Sequence, residues 1–313
     1  MALALFWRMT GHLAEGQGWL EAVLARAGAP SEAREGQWEG NEGAPALTPT
    51  GRADLHCWAG WLALDRGDPA AAGHLAASAA LARGLGDPVR LAHALTGLAD
   101  GALARGGRER ALGLYEEAGA LAAGAGDQRC LAGVLLNRAR MLLLERGDAA
   151  GANPLLEESL ALSRRSGDET GVVYALFHLG LGALLQGDAG QAEGCFVAAL
   201  RRAAEGRYQL MMVYGLEALG LVTGARGAAR GAVRLFGAAA PPRAARGAPH
   251  GPEERALGAR AMARATLGAA AFAAAWAEGE RLALEEAVAA ALEGATSPVL
   301  RCAHCTCGSA RGE

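Results

Sequence analysis

Residues 168–205 read DETGVVYALFHLGLGALLQGDAGQAEGCFVAALRRAAE. The first half carries Val172, Val173, Leu176, Leu179, Ala183 and Leu184 at helical spacing, and the second carries Ala192, Cys195, Phe196, Ala199 and Leu200 in the same way. Neither half shows the alternation of a strand. The turn between them, Leu185-Gln-Gly-Asp188, returns along the chain as Asp65-Arg-Gly-Asp68, Ala104-Arg-Gly-Gly107, Glu145-Arg-Gly-Asp148 and Ala225-Arg-Gly-Ala228. The turn glycines Gly67, Gly106, Gly147, Gly187 and Gly227 are 39, 41, 40 and 40 residues apart. A second series, Gly86-Asp87, Gly126-Asp127 and Gly167-Asp168, marks the other end of each unit. In both series a glycine supplies a left-handed C-cap position and the following residue a polar N-cap. A fixed period of this size is the signature of stacked helix pairs. The expectation is an all-α, right-handed solenoid of antiparallel helix pairs with a period of about 40 residues. Such chains more often present a surface than catalyse.

Working outward from residue 205, the chain divides into segments. Residues 1–27 read as an N-terminal helix pair and 28–51 as an irregular insertion rich in Gly, Pro and Glu, with Pro30, Pro45 and Pro49. The repeats occupy 52–239. Residues 240–252 hold four prolines and read as a loop, 253–295 as a C-terminal pair with helices near 253–270 and 271–293, and 296–313 as a disordered tail. Within the fifth unit, Gly180 and Ala192 are expected to face each other where the two helices cross.

Composition removes several classes of function. The 313 residues are 51% hydrophobic, enough for an extensive interior, and the formal charge of -3 offers no basic field for nucleic acid. All 30 positive charges are Arg, because the chain has no Lys; it has no Ile either. Both absences are what a strongly GC-biased genome would produce. A P-loop requires a lysine to reach the phosphates, and Schiff-base chemistry requires one as well. No stretch approaches the roughly 18 apolar residues of a membrane span. Met1–Trp7 is apolar but has no basic leader, so the expected location is cytoplasmic, without a membrane partner.

Set against the tetratricopeptide pattern, Leu179-Gly180 stands for the Leu-Gly pair, Ala192 for the small residue of the second helix, and Phe196 and Ala199 follow it. Ala99, Ala111, Tyr115 and Ala118 occupy the same register in the third unit, and Gly220, Ala232, Phe236 and Ala239 in the sixth. The ends narrow the comparison. Phe6-Trp7 with Gly11-His12-Leu13-Ala14-Glu15-Gly16-Gln17-Gly18-Trp19-Leu20, and Leu267-Gly268-Ala269-Ala270-Ala271-Phe272 running on through Trp276-Ala277-Glu278-Gly279 to Leu284-Glu285-Glu286-Ala287, are similar to the borders of one region. The chain resembles, over about residues 3–293, the tetratricopeptide sensor region of bacterial LuxR-type and related transcriptional regulators of the STAND class of signal-transduction ATPases. The period near 40 departs from the 34-residue consensus. The resemblance implies a detached sensor arm or a truncated reading frame, since the ATPase and DNA-binding modules of those regulators have no counterpart here. It implies a non-enzymatic chain without cofactor, whose partner is a protein, a peptide or a small-molecule effector, with no direct nucleic acid contact. A free-standing adaptor unrelated to transcription is the alternative.

In such stacks the first helix of each unit lines an inner groove. By alignment this places Asp54, Trp61, His93, Asn137, Met141, Tyr174, Phe177, Tyr214 and Glu217 there, together with Cys57, Thr96, Asp100, Val134 and Leu181. Aromatics with a few polar groups suit a peptide or small ligand; packing between repeats is the competing explanation for Phe177, Leu181 and Met141. Other patterns carry less. Arg66-Gly67-Asp68 and Arg146-Gly147-Asp148 spell an adhesion tripeptide but sit on the periodic turn. The tail Cys302-Ala-His304-Cys305-Thr-Cys307 crowds four soft ligands into six residues with no second pair elsewhere, so no metal site is expected. The seven His are spread over different units, and spacing ties no nucleophile to a base. The pairs Glu116-Glu117, Glu157-Glu158 and Glu285-Glu286 read as solvated faces.

Overall fold

The computed structural model describes residues 6–8, 12–28, 47–246 and 262–294. Among them every regular element is a helix, and no strand occurs. The chain divides into two compact units, Met1–Asn137 and Arg138–Glu313. The first contains α1 (Leu13–Gly28), α2 (Pro49–Asp65), α3 (Ala71–Leu85), α4 (Pro88–Ala104), α5 (Arg108–Gly124) and the start of α6 (Gln128–Met141). The second contains the end of α6, α7 (Ala149–Arg165), α8 (Glu169–Leu185), α9 (Ala189–Glu205), α10 (Gln209–Ala225), α11 (Ala229–Arg246), α12 (Ala269–Glu280) and α13 (Leu284–Gly294). Within each unit most helices that follow one another in sequence pack together, alternate ones also meet (α2 touches α4, and α8 touches α10), and α13 packs back on α9, α10 and α11.

The turns explain where the helices stop. Both glycine series adopt left-handed backbone, with φ between 65° and 82° from Gly67 to Gly227. In that conformation the next N–H folds back on the end of the helix, as in Asp87 N to Ala82 O (3.0 Å), Asp168 N to Ser163 O (2.9 Å) and Asp188 N to Ala183 O (2.9 Å). The aspartate then caps the following helix. Asp87 accepts from Arg90 N, Asp127 from Cys130 N, Asp148 from Gly151 N, Asp168 from Gly171 N and Asp188 from Gln191 N, all at 2.8–3.1 Å. Each such cap is worth about 1 kcal/mol. One turn lacks the glycine: Arg207, φ 54°, holds the left-handed position after α9, and Tyr208, like Gly107 before α5, stands at an N-cap without a side-chain cap.

The long interval from Gly106 to Gly147 also has a structural cause. The end of α6 widens into a π-turn over Leu142–Arg146, so that Asp148 N reaches back to Leu142 O, one residue further than at the other turns. A single inserted residue is absorbed in this way without shifting the faces on either side.

Helix crossings are closed by small residues. A Cβ on Gly60 or Gly97 would lie 2.5 or 2.6 Å from Leu75, one on Gly215 2.8 Å from Leu200, and one on Gly220 2.7 Å from Phe236. Gly180 packs in the same manner: a Cβ there would lie 2.6 Å from the ring of Phe196. The expected Gly180–Ala192 contact is therefore corrected to Gly180–Phe196: the aromatic fills the space that the glycine leaves.

Three boundaries differ from the sequence reading. The insertion expected over 28–51 ends early, because Thr48 caps a helix that begins at Pro49, a residue suited to a first turn; 29–46 lie outside the described residues. The loop expected at 240–252 does not begin at 240. Helix α11 runs through Pro241 and Pro242 to Arg246, held by a close crossing in which Gly237 faces the backbone of Trp276 and Gly279 that of Arg234, and by a buried ion pair between Arg243 and Glu217. The helix expected over 271–293 is interrupted. Glu280 ends α12, and α13 starts after Ala283, whose N–H donates to Glu286 (3.1 Å) as in a capping box. The tail from 296, with its four soft ligands, lies outside the described residues.

Candidate functional site

Burial sorts the candidate residues. Twelve of the seventeen residues of α10 are buried against six of the seventeen of α9, so α10 is enclosed on nearly every side whereas α9 shows one apolar stripe. The even-numbered helices α4 and α8 are enclosed in the same way. Large side chains that sequence assigns to an open inner face are consequently packed. Trp61, Met141, Phe177, Leu181 and Tyr214 are all buried, and Glu217 has no exposed surface.

In the first unit Asp54 forms a two-pronged ion pair with Arg90 (2.8 and 3.1 Å), and the guanidinium of Arg8 lies 5.0 Å from the centre of the Trp61 ring. His93 is exposed. Asn137 is half-buried and donates to Gly133 O (3.0 Å), so part of its amide serves its own helix. Thr96 likewise donates to Ala92 O, and Asp100 accepts from the Tyr115 hydroxyl. Burial pushes the thiols of Cys57 and Cys130 up to about 12, so both are neutral and unreactive near pH 7.

In the second unit the structure gathers an aromatic cluster. Phe177 lies between Phe196 (5.6 Å), Tyr214 (6.2 Å) and His178 (5.4 Å, edge-on). Arg243 covers Tyr214 at 5.3 Å while its Nε donates to Glu217 Oε1 (2.7 Å) and a second nitrogen to Glu217 Oε2. His178 Nδ1–H donates to Tyr174 O (2.8 Å), and burial pushes its pKa down to about 4, so the ring is neutral. Tyr174 itself remains half-buried at the edge of the cluster. The candidates that keep solvent contact are thus Asp54, Cys57, His93 and Asn137 in the first unit and Tyr174 in the second.

Two groupings escape sequence inspection. Arg243 stands in a segment that reads as loop, so its pairing with Glu217 has no signal there. His56 and His74, on α2 and α3, bring their Nδ1 atoms to 3.0 Å, although spacing suggested that the histidines are dispersed. A helix pair joined by a short turn places residues on facing sides of its two helices at such separations. No known protein family matches the chain, and none of the curated proteins does.

Proposed function

We propose that the chain is a non-enzymatic tetratricopeptide-like solenoid, a right-handed stack of antiparallel helix pairs repeating about every 40 residues. It serves as the partner- or effector-sensing arm of a bacterial transcriptional regulator of the LuxR and STAND type. The observation that carries this reading is that, in each unit, enclosed alternate helices leave a few candidate side chains in contact with solvent: Asp54, Cys57, His93 and Asn137 in the first and Tyr174 in the second. Rigid side chains on packed helices bind with little loss of conformational entropy. Occupation by a peptide or small effector favours one arrangement of neighbouring helices over another, which biases an attached or separate ATPase module.

The experiment is affinity capture on the immobilised chain from a high-GC bacterial lysate. The captured component is identified by mass spectrometry and titrated against purified variants. Capture of a P-loop ATPase or of its effector, with weaker binding by Tyr174→Ala and Asn137→Ala and unchanged binding by Glu157→Ala, supports the reading. Loss confined to Glu157→Ala, or capture of nothing saturable, overturns it.

A further inference from the structure

The first unit holds a histidine pair with the construction of a metal ligand set. His56 on α2 and His74 on α3 place their Nδ1 atoms 3.0 Å apart, with ring centroids at 5.3 Å and planes inclined by 42°. The far nitrogen of His74, Nε2, lies 3.4 Å from Glu21 Oε1 on α1. With its proton on Nε2, beside that carboxylate, His74 presents its Nδ1 lone pair to His56. The carboxylate is itself held. Gln17, only 4% exposed, donates its amide to Glu21 Oε1 (2.8 Å) and to Asp68 Oδ2 (2.9 Å), while Arg66 donates to Gln17 Oε1 (2.8 Å). A ligating histidine whose second nitrogen faces a fixed carboxylate is the usual outer-shell arrangement of protein metal sites.

We propose that His56 and His74 chelate one divalent transition-metal ion of tetragonal preference, Ni(II) or Cu(II), through their two Nδ1 atoms. With metal–nitrogen distances of about 2.0–2.1 Å, a separation of 3.0 Å subtends roughly 90–100° at the metal. That angle belongs to neighbouring positions of a square or octahedral site and is too narrow for a tetrahedral one. Water fills the remaining positions, which the partial exposure of both rings allows. In the metal-free pair His56 Nδ1–H donates to His74 Nδ1. On binding, the His56 proton moves from Nδ1 to Nε2, so both rings ligate as neutral imidazoles and no net proton is released. The surrounding charges are mixed: Glu21 and Asp68 oppose Arg52 and Arg66.

The test uses the full chain with the tail ligands removed, as Cys302→Ser, His304→Ala, Cys305→Ser and Cys307→Ser. Calorimetric titration with Ni(II) is expected to show one ion per chain. His56→Ala and His74→Ala each weaken binding at least tenfold with helicity retained. Glu21→Gln weakens it about tenfold with the stoichiometry unchanged, as outer-shell changes do. Electron paramagnetic resonance of the Cu(II) form shows coupling to two imidazole nitrogens in the protein with both histidines. Absence of Ni(II) binding, binding undiminished in both histidine variants, or a Cu(II) signal without two nitrogens overturns the assignment.

Discussion

Arg207→Gly should make the protein more stable. Arg207 occupies the left-handed position at the end of α9, φ 54°, where the corresponding turns have Gly86, Gly126 and Gly167 with φ from 65° to 68°. For an L-residue this backbone costs about 1–2 kcal/mol. Glycine removes that cost but adds freedom to the unfolded chain, worth up to about 1 kcal/mol in the other direction. The side chain of Arg207 is exposed, so little contact is lost with it. The net expectation is a gain of about 1 kcal/mol, or roughly 2–4 °C in the thermal midpoint for a cooperative unit of this size. The reciprocal change, Gly167→Arg, introduces the strain at the same place in another turn and, with the same offset from the unfolded chain, should lose about 1 kcal/mol. Urea unfolding followed by circular dichroism measures both. A loss of stability for Arg207→Gly, or no loss for Gly167→Arg, would refute the reasoning about these turns.

Other outcomes follow from buried groups and composition. The folded pKa of His178, about 4, lies below the usual 6.5, so the unfolded chain binds more protons between these values. Stability is therefore full above about pH 6.5 and falls as the pH drops toward 4, by about 3 kcal/mol in total; His178→Gln should flatten that slope in pH-dependent urea titrations. Glu217→Gln leaves Arg243 buried beside a neutral partner and should cost about 3–5 kcal/mol. The double variant Glu217→Leu/Arg243→Met should recover most of it, as unfolding curves of all three will show. The chain has no lysine to reach a phosphate, so calorimetry with ATP should show no saturable binding at micromolar concentration.

The helical elements were legible in the sequence because their limits are local. A glycine followed by aspartate fixes a stop and a start whatever surrounds it, and these residues sit in left-handed turns and N-caps. The irregular spacing before Gly147 was visible too, although the place of the extra residue, a π-turn at Leu142–Arg146, depends on how α6 ends against its neighbours. What sequence concealed depends on contacts between elements. Pro241-Pro242 signals a break by its own chemistry, and the helix persists because Gly237 and Gly279 let two backbones approach and Arg243 reaches Glu217 across 26 residues. Alignment put Trp61, Phe177 and Tyr214 on the first helices of their units, but it could not tell an open face from an enclosed one. The His56–His74 approach depends on the relative rotation of two helices, which no spacing rule specifies.

The central claim is that one helix pair, repeated, builds the structure. A Cβ on Gly180 would lie 2.6 Å from Phe196 and one on Gly220 2.7 Å from Phe236, two crossings separated by 40 residues at both glycine and ring. Replacing either glycine by leucine overpacks the same joint, at a typical cost of about 1–3 kcal/mol. The most direct measurement is the equilibrium unfolding free energy of Gly180→Leu and Gly220→Leu side by side. If the two positions are equivalent members of a repeat, both variants lose stability by the same amount. A substantial loss from one and none from the other would contradict the repeat.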